Sequence, residues 1–222
     1  KDQCQIEGIL TEQRSMVWDR MISPENVESL MQKLDTLTSE DYLVLAGSIP
    51  GSMPKMIYRD IMARLASKGV QFVVDATGEL LMNVLEYHPF LIKPNNHELG
   101  EIFGAELKTR DEVQPYAKKL QEMGARNVLV SMAGQGAVLL DENGGFHQLP
   151  APKGRLVNAV GAGDSMVAGF VAGWIENRIM NMPSAWEFPQ EVQVHFQNYL
   201  RQKQKSDRFM HPSRHKKQLI RR

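Results

Sequence analysis

The sequence predicts an α/β domain built on a mainly parallel sheet, and three observations carry that prediction. Helical and strand patterns alternate from Ser23 to about Ile175. The strands read as short apolar runs such as LVLA and FVV, which suit strands buried in a parallel sheet. The last stretch of the alternation, VNAVGAGDSMVAGFVAGWIE, passes from a loop through closely spaced glycines into a long apolar helix. A chain of 222 residues, 42% hydrophobic and 23% charged, has room for one domain with a sizeable core.

In chain order, SPENVESLMQKL opens the pattern with Ser23 as helix N-cap and Pro24 in the first helical position. Val27, Leu30, Met31 and Leu34 are spaced along one face, so this helix should lie on a sheet. DYLVLAGSIP reads as a buried strand ending in a loop. The helix PKMIYRDIMARLASKG, the strand VQFVVDA and the helix GELLMNVLEYH repeat the βα unit. FLIKPNNHEL sets a strand end directly before a helix, and TRDEVQPYAKKLQEMGA supplies another amphipathic helix. NVLVSMAG is a strand entering a glycine loop, and GAVLLDENGGFHQLP is a hairpin with Asn143 and Gly144 as turn residues suited to positive φ. No repeat of 20 to 50 residues and no low-complexity segment is visible.

Several function classes are excluded at this level. Cys4 is the only cysteine, so no internal disulfide forms, and no Cys and His spacing suggests zinc. No run approaches the roughly 18 apolar residues of a membrane helix, and the opening KDQCQIEGIL lacks the order of a secretory leader, so a cytoplasmic protein is expected. The 26 basic and 26 acidic residues balance overall. From Ile179 onward, however, nine Lys or Arg stand against three Asp or Glu. The basic ending RHKKQLIRR has no aromatic or amphipathic support, so neither a nucleic-acid nor a membrane partner is expected.

The strongest chemical signal is Gly161-Ala162-Gly163-Asp164 leading into a helix. Glycines let a ligand approach the backbone, and the first N–H groups of a helix lack internal partners and suit a phosphate. A carboxylate in such an anion hole would repel phosphate unless it served the reaction. Asp164 is therefore expected to accept the proton of an attacking hydroxyl while the adjacent amides hold the transferring oxygens. A dinucleotide fingerprint would sit after the first strand, and a Walker loop would need Gly-Lys-Ser or Gly-Lys-Thr; neither pattern is met. A tight turn without chemistry is the remaining alternative. GSIP, with Gly47 and Ser48, follows a strand at the end where open α/β sheets bind ligands and is a candidate to face the substrate.

The whole string VNAVGAGDSMVAGF resembles the second signature of the ribokinase-like carbohydrate kinases, the PfkB family, over roughly residues 22–178. The resemblance implies a three-layer sandwich with a mainly parallel central sheet. It implies ATP and Mg2+, with Asp164 as catalytic base and Gly161, Ala162 and Gly163 as the anion hole. Asn95 and Glu98 match the family's Asn-x-x-Glu pattern for magnesium and phosphate, although each also suits an ordinary helix start. Lys93 stands where the family brings a lysine to the nucleotide phosphates. Ser131, Gly134 and Gly136 in SMAGQG resemble the nucleotide-binding segment, a hairpin entry being the plain alternative. Asn158-Ala159 replaces the commoner Asp-Thr, a departure shared by the branch acting on ketose phosphates, and Asn158 counts among the nucleotide positions. His97 reads as a surface residue. LVLAGSIP, LIKPNNHELGEIFG and LPAPKGRL point to the same branch. Fructose 1-phosphate is then the expected acceptor, giving fructose 1,6-bisphosphate, with tagatose 6-phosphate as alternative. Intact relatives are implied to be homodimers.

The flanks depart from the family. Its N-terminal sugar-binding segment and small β lid are expected to be missing. Residues 179–188 written as ATT ATG AAT ATG CCT TCC GCA TGG GAG TTT, with one G in front, translate as DYEYAFRMGV, a helix of the family's type. TEQRSMVWDR can likewise be encoded so that another frame reads TEINGLGP. Residues 1–21 and 179–222 are therefore expected to be out-of-frame translations flanking a kinase core at 22–178. For such a chain an inactive fragment that binds nucleotide weakly is the alternative to an active enzyme.

Overall fold

A computed structural model describes residues 22–151 and 162–177, and the chain divides between Gln148 and Leu149 into two compact units. In the first unit, helix α1 (Pro24–Leu34) leads to strand β1 (Tyr42–Ala46), helix α2 (Ile57–Leu65) and strand β2 (Gln71–Asp75). A short helix α3 (Gly78–Met82), strand β3 (Leu91–Ile92) and helices α4 (Asn96–Phe103) and α5 (Arg110–Glu122) follow. Strands β4 (Asn127–Ser131), β5 (Ala137–Leu140) and β6 (Phe146–Leu149) complete the sheet. The second unit contains helix α6 (Ala162–Asn177).

The six strands stand in chain order. β1 to β4 are parallel, in registers such as Val44 beside Val73 and Val74 beside Ile92, and β5 turns back antiparallel to β4. Phe72, Val74, Ile92, Val128, Val130, Val138 and Leu140 point into the main core. There they meet Ile57, Ile61 and Leu65 of α2, Leu99 of α4, and Val113, Ala117 and Leu120 of α5. The intervening residues Val73, Leu91, Leu129 and Leu139 are buried as well. Both faces of the central strands are thus covered, which explains why their sequences run apolar without alternation.

Local expectations meet the structure with a few differences. Ser23 caps α1 by accepting from Asn26 N at 3.3 Å, as its position before Pro24 predicts. Met31 is buried and Val27 and Leu34 are half-buried, but Leu30 turns outward and is 37% exposed, so the apolar stripe is narrower than predicted. GELLMNVLEYH does not form one helix. It breaks at Asn83 into α3 and a 3-10 turn (Leu85–Tyr87), and His88 then takes φ 52. Leu81, Val84 and Leu85 are all buried, and the break lets a short segment containing poor helix formers turn all three into the core. The hairpin forms, but Gly144 alone takes positive φ, at 86°. Asn143 does not, because the Asp141 carboxylate accepts from Asn143 N and Gly145 N, both at 2.9 Å, and closes a longer connection.

Candidate active site

The carboxyl ends of the parallel strands bring the candidate residues of the first unit together. Gly47 follows β1 with φ 88, and its N–H donates to Asp75 O at 3.1 Å. Lys93 follows β3 and donates its N–H to Val74 O at 3.1 Å. Ser131 ends β4, where its N–H donates to Pro94 O at 3.0 Å and it bridges to Asn95. Main-chain bonds alone therefore join the loops that carry Gly47, Lys93, Asn95 and Ser131 along one edge, where ligands of parallel sheets bind.

Lys93 is the most constrained of these residues. Its side chain is 7% exposed, and Nζ lies 3.1 Å from Asp75 Oδ1. A buried ammonium needs a partner of this kind, since desolvation otherwise drives it toward the neutral form. Asp75 has no place among the sequence-predicted residues. Its signal was a single acid closing the apolar strand VQFVVDA at the same edge. Tyr58 of α2 was likewise missed, and nothing in the sequence marks it, because it acts through main-chain acceptors. Its hydroxyl donates to Ala46 O at 2.8 Å and Gly47 O at 3.2 Å, pinning the start of the Gly47-Ser48 loop. Burial, with a contribution from the Asp75 charge, pushes the Tyr58 phenol up.

Asn95 and Glu98 form a complete capping box at the start of α4. Asn95 Oδ1 accepts from His97 N at 2.8 Å and Glu98 N at 2.9 Å, and Glu98 Oε2 accepts from Asn95 N at 2.8 Å. The helix-start role left open by the sequence is therefore real. Among the described residues the Glu98 carboxylate accepts through Oε2, and Oε1 takes no part in the capping box. His97 is exposed, as expected of a surface residue.

The loop after β4 carries Gly134 and Gly136. A 3-10 turn spans Ala133–Gln135, all three exposed, and Gly136 closes it at φ 89. Ala133 takes φ 46, a conformation that costs an L residue about 1–2 kcal/mol. Such strain clusters at ligand clamps and switches.

In the second unit α6 begins at Ala162, and Asp164 is exposed in its first turn. Gly163 is half-buried, and Ser165, Val167 and Phe170 are buried. The leading amides of α6, those of Ala162 and Gly163 among them, belong to the four that a helix leaves without internal acceptors. Gly161 and Asn158 lie outside the described residues, as do the predicted out-of-frame segments 1–21 and 179–222 apart from any family match. No helix among the described residues is long and apolar enough to cross a membrane.

Comparison with known proteins places the chain in a family. The pattern described as pfkB family carbohydrate kinase matches residues 4–185, extending past both edges of the 22–178 core. The chain is 47% identical over 152 residues to 1-phosphofructokinase of Bacillus subtilis, covering 68% of this chain and 50% of that protein. It is 32% identical over 152 residues to D-tagatose-1-phosphate kinase of Bacillus licheniformis, with the same 68% and 50% coverage. Among solved structures, phosphofructokinase-2 of Escherichia coli in complex with fructose-6-phosphate superposes with a TM-score of 0.64 at 28% identity, covering 71% of this chain and 52% of that one. The chain thus spans about half the length of the curated relatives it matches. With a family match over residues 4–185, most of its length, the chain belongs to the pfkB family of carbohydrate kinases.

Proposed function

We propose that the protein transfers the γ-phosphoryl group of ATP to the 6-hydroxyl of a ketose 1-phosphate, fructose 1-phosphate foremost, giving fructose 1,6-bisphosphate and ADP. The observation that carries this reading is an exposed carboxylate, Asp164, in the first turn of the apolar helix α6. Asp164 accepts the hydroxyl proton as the sugar oxygen bonds to the γ-phosphorus and the bond to the bridging oxygen of ADP breaks. The amides of Gly161, Ala162 and Gly163 hold the transferring oxygens. Lys93, Ser131, Gly134, Gly136 and Asn158 receive the nucleotide, and Gly47 and Ser48 face the sugar phosphate. Tagatose phosphates are the alternative acceptors, and the relative from Bacillus licheniformis is named for the 1-phosphate.

The reading includes magnesium. Among the described residues no three His, Cys, Asp or Glu side chains gather into a protein cage. The Glu98 carboxylate fits magnesium instead, an ion that keeps several waters and is shared with substrate phosphates. Asn95 Oδ1 is occupied by two amide donors, so Asn95 serves by placing Glu98. When bound, the ion would neutralise charge on the nucleotide phosphates. A cytoplasmic location and a homodimer of the intact protein belong to the same proposal.

Asp164→Asn tests the assignment. Turnover of ATP with fructose 1-phosphate should fall by about 10²–10⁴-fold, the usual contribution of a general base, with ATP affinity retained. Retained turnover would remove Asp164 from the chemistry.

A second reading concerns the 222 residues as they stand. The chain spans half the length of its curated relatives, which favours a fragment that binds nucleotide without turning over sugar phosphate. The shifted-frame readings of residues 179–188 and of TEQRSMVWDR favour the same view. Coding DNA whose third bases forbid the shifted readings would remove the frame proposal. Assay of this chain beside a frame-corrected, full-length version separates fragment from enzyme.

A further inference from the structure

The loop after β4 holds a turn that its own sequence disfavours, and the restraint comes from outside it. Ala133 and His88 are the two non-glycine residues at positive φ among those described, and Ala133 is exposed. Within the loop, Gln135 N donates to Met132 O at 3.0 Å, Gly136 N to Ala133 O at 2.9 Å and Met132 N to Gly136 O at 2.8 Å. These bonds close the turn but leave it an exposed flap of three residues.

Arg110, the first residue of α5, holds that flap. Its Nε donates to Gln135 O at 2.9 Å, its Nη2 donates to the same oxygen, and its Nη1 donates to Gln148 Oε1 at 3.1 Å. Gln135 answers through its side chain, with Nε2 donating to Lys108 O at 2.6 Å. The backbone and side chain of one loop residue are thus both tied to the segment 108–110. Among the described residues Arg110 forms no salt bridge, so its charge is directed at a main-chain oxygen and an amide. The opposite flank of the loop is fixed at Ser131 by Pro94 O and the bridge to Asn95. The loop therefore stands between two anchors, one of them next to Lys93 and Asn95.

We propose that Arg110 is a positioning residue for nucleotide binding, which holds the Ala133–Gln135 turn in the shape that receives ATP without touching the nucleotide itself. The inference rests on the reading of this loop as part of the ATP site. Lysine cannot replace it, because one ammonium lacks the planar fork that reaches Gln135 O and Gln148 Oε1 together.

The test uses the 222-residue chain, Arg110→Ala and Arg110→Lys, with ATP titrated by calorimetry and amide exchange followed at Gln135 and Gly136. Both variants should weaken ATP about tenfold, consistent with loss of charge-assisted bonds, and should speed exchange at those two amides. Exchange in β2 and β4 should match the parent, because Arg110 is outside the core. ATP affinity unchanged in both variants would overturn the role. Weakened ATP with parental exchange at Gln135 and Gly136 would overturn it as well, since Arg110 would then act on the nucleotide directly. Restoration of affinity by lysine would show that charge alone matters and would count against positioning. A parent chain that binds no ATP would overturn the kinase reading and this role together; a parent that binds while the variants match it overturns this role alone.

Discussion

At the scale of single residues, the site is shaped by charges with few alternatives. Lys93 and Asp75 are 7% and 19% exposed at their side chains, so each is the condition for the other's burial. Breaking a buried pair by removing one partner costs about 3–5 kcal/mol, because the survivor is left uncompensated, whereas replacing both members with apolar groups costs far less. Asp75→Asn should therefore destabilise the chain by an amount near the lower end of that range, read as a fall in the urea midpoint. Asp75→Asn combined with Lys93→Met should recover most of the loss. Equal stability of Asp75→Asn and the parent would mean that Lys93 finds another partner. Residues of this kind were only half legible in the sequence. Lys93 was visible because it stands in KPNNHE, a string with a family likeness, while Asp75 lay in an ordinary strand end whose meaning depends on which strand pairs beside it. Tyr58 and Arg110 were not legible, since Tyr58 acts on backbone carbonyls and Arg110 on a backbone carbonyl and a distant amide, which no local side-chain pattern encodes.

At the scale of elements, the sequence reading succeeds where one local signal is enough and fails where packing or a side-chain bond decides. Ser23-Pro24 and Asn95-x-x-Glu98 specify helix starts by capping chemistry within three residues, and both form. The break of GELLMNVLEYH and the long β5–β6 connection depend on tertiary burial and on the Asp141 carboxylate, which propensity does not report. That hairpin yields a pH prediction. His147 Nε2 donates to Asp141 Oδ2 at 2.5 Å, and both side chains are nearly buried. Burial alone would raise the Asp141 carboxyl, but the bond from His147 and those from Gly145 N and Asn143 N outweigh it and hold it below the usual carboxylate value. A carboxyl lowered by folding stabilises the native state above its unfolded value of about 3.9, and that contribution is lost as pH falls through the lower folded value. Stability measured by denaturant titration should thus decline below about pH 4. Asp141→Asn should flatten the decline, and protection from exchange at Asn143 and Gly145, taken relative to the intrinsic rate at each pH, should fall first in the parent as acid is added. An identical acid limb in parent and variant would show that other carboxylates govern the transition.

At the scale of the whole molecule, the question is which ligand this chain can still recognise. Lys93, Ser131, Gly134 and Gly136 are supplied by the sheet edge and its loops, so four of the five proposed nucleotide contacts stand among the described residues. Gly47 and Ser48 are the proposed contacts to the sugar phosphate, and the chain spans about half the length of the curated relatives it matches. Ligand linkage converts this asymmetry into a measurement. A ligand that binds only the folded state adds about 2.7 kcal/mol at one hundred times its dissociation constant. For a chain of this size about 1 kcal/mol moves the melting temperature by about 2–4 °C. ATP at saturation should therefore raise the melting temperature by several degrees, and on the fragment reading fructose 1-phosphate alone should leave it unchanged. The same pair of scans on a frame-corrected, full-length version should show a shift with either ligand. If fructose 1-phosphate alone stabilises the 222-residue chain as strongly as ATP, then the sugar site lies within these residues, and the fragment reading gives way to that of a competent enzyme.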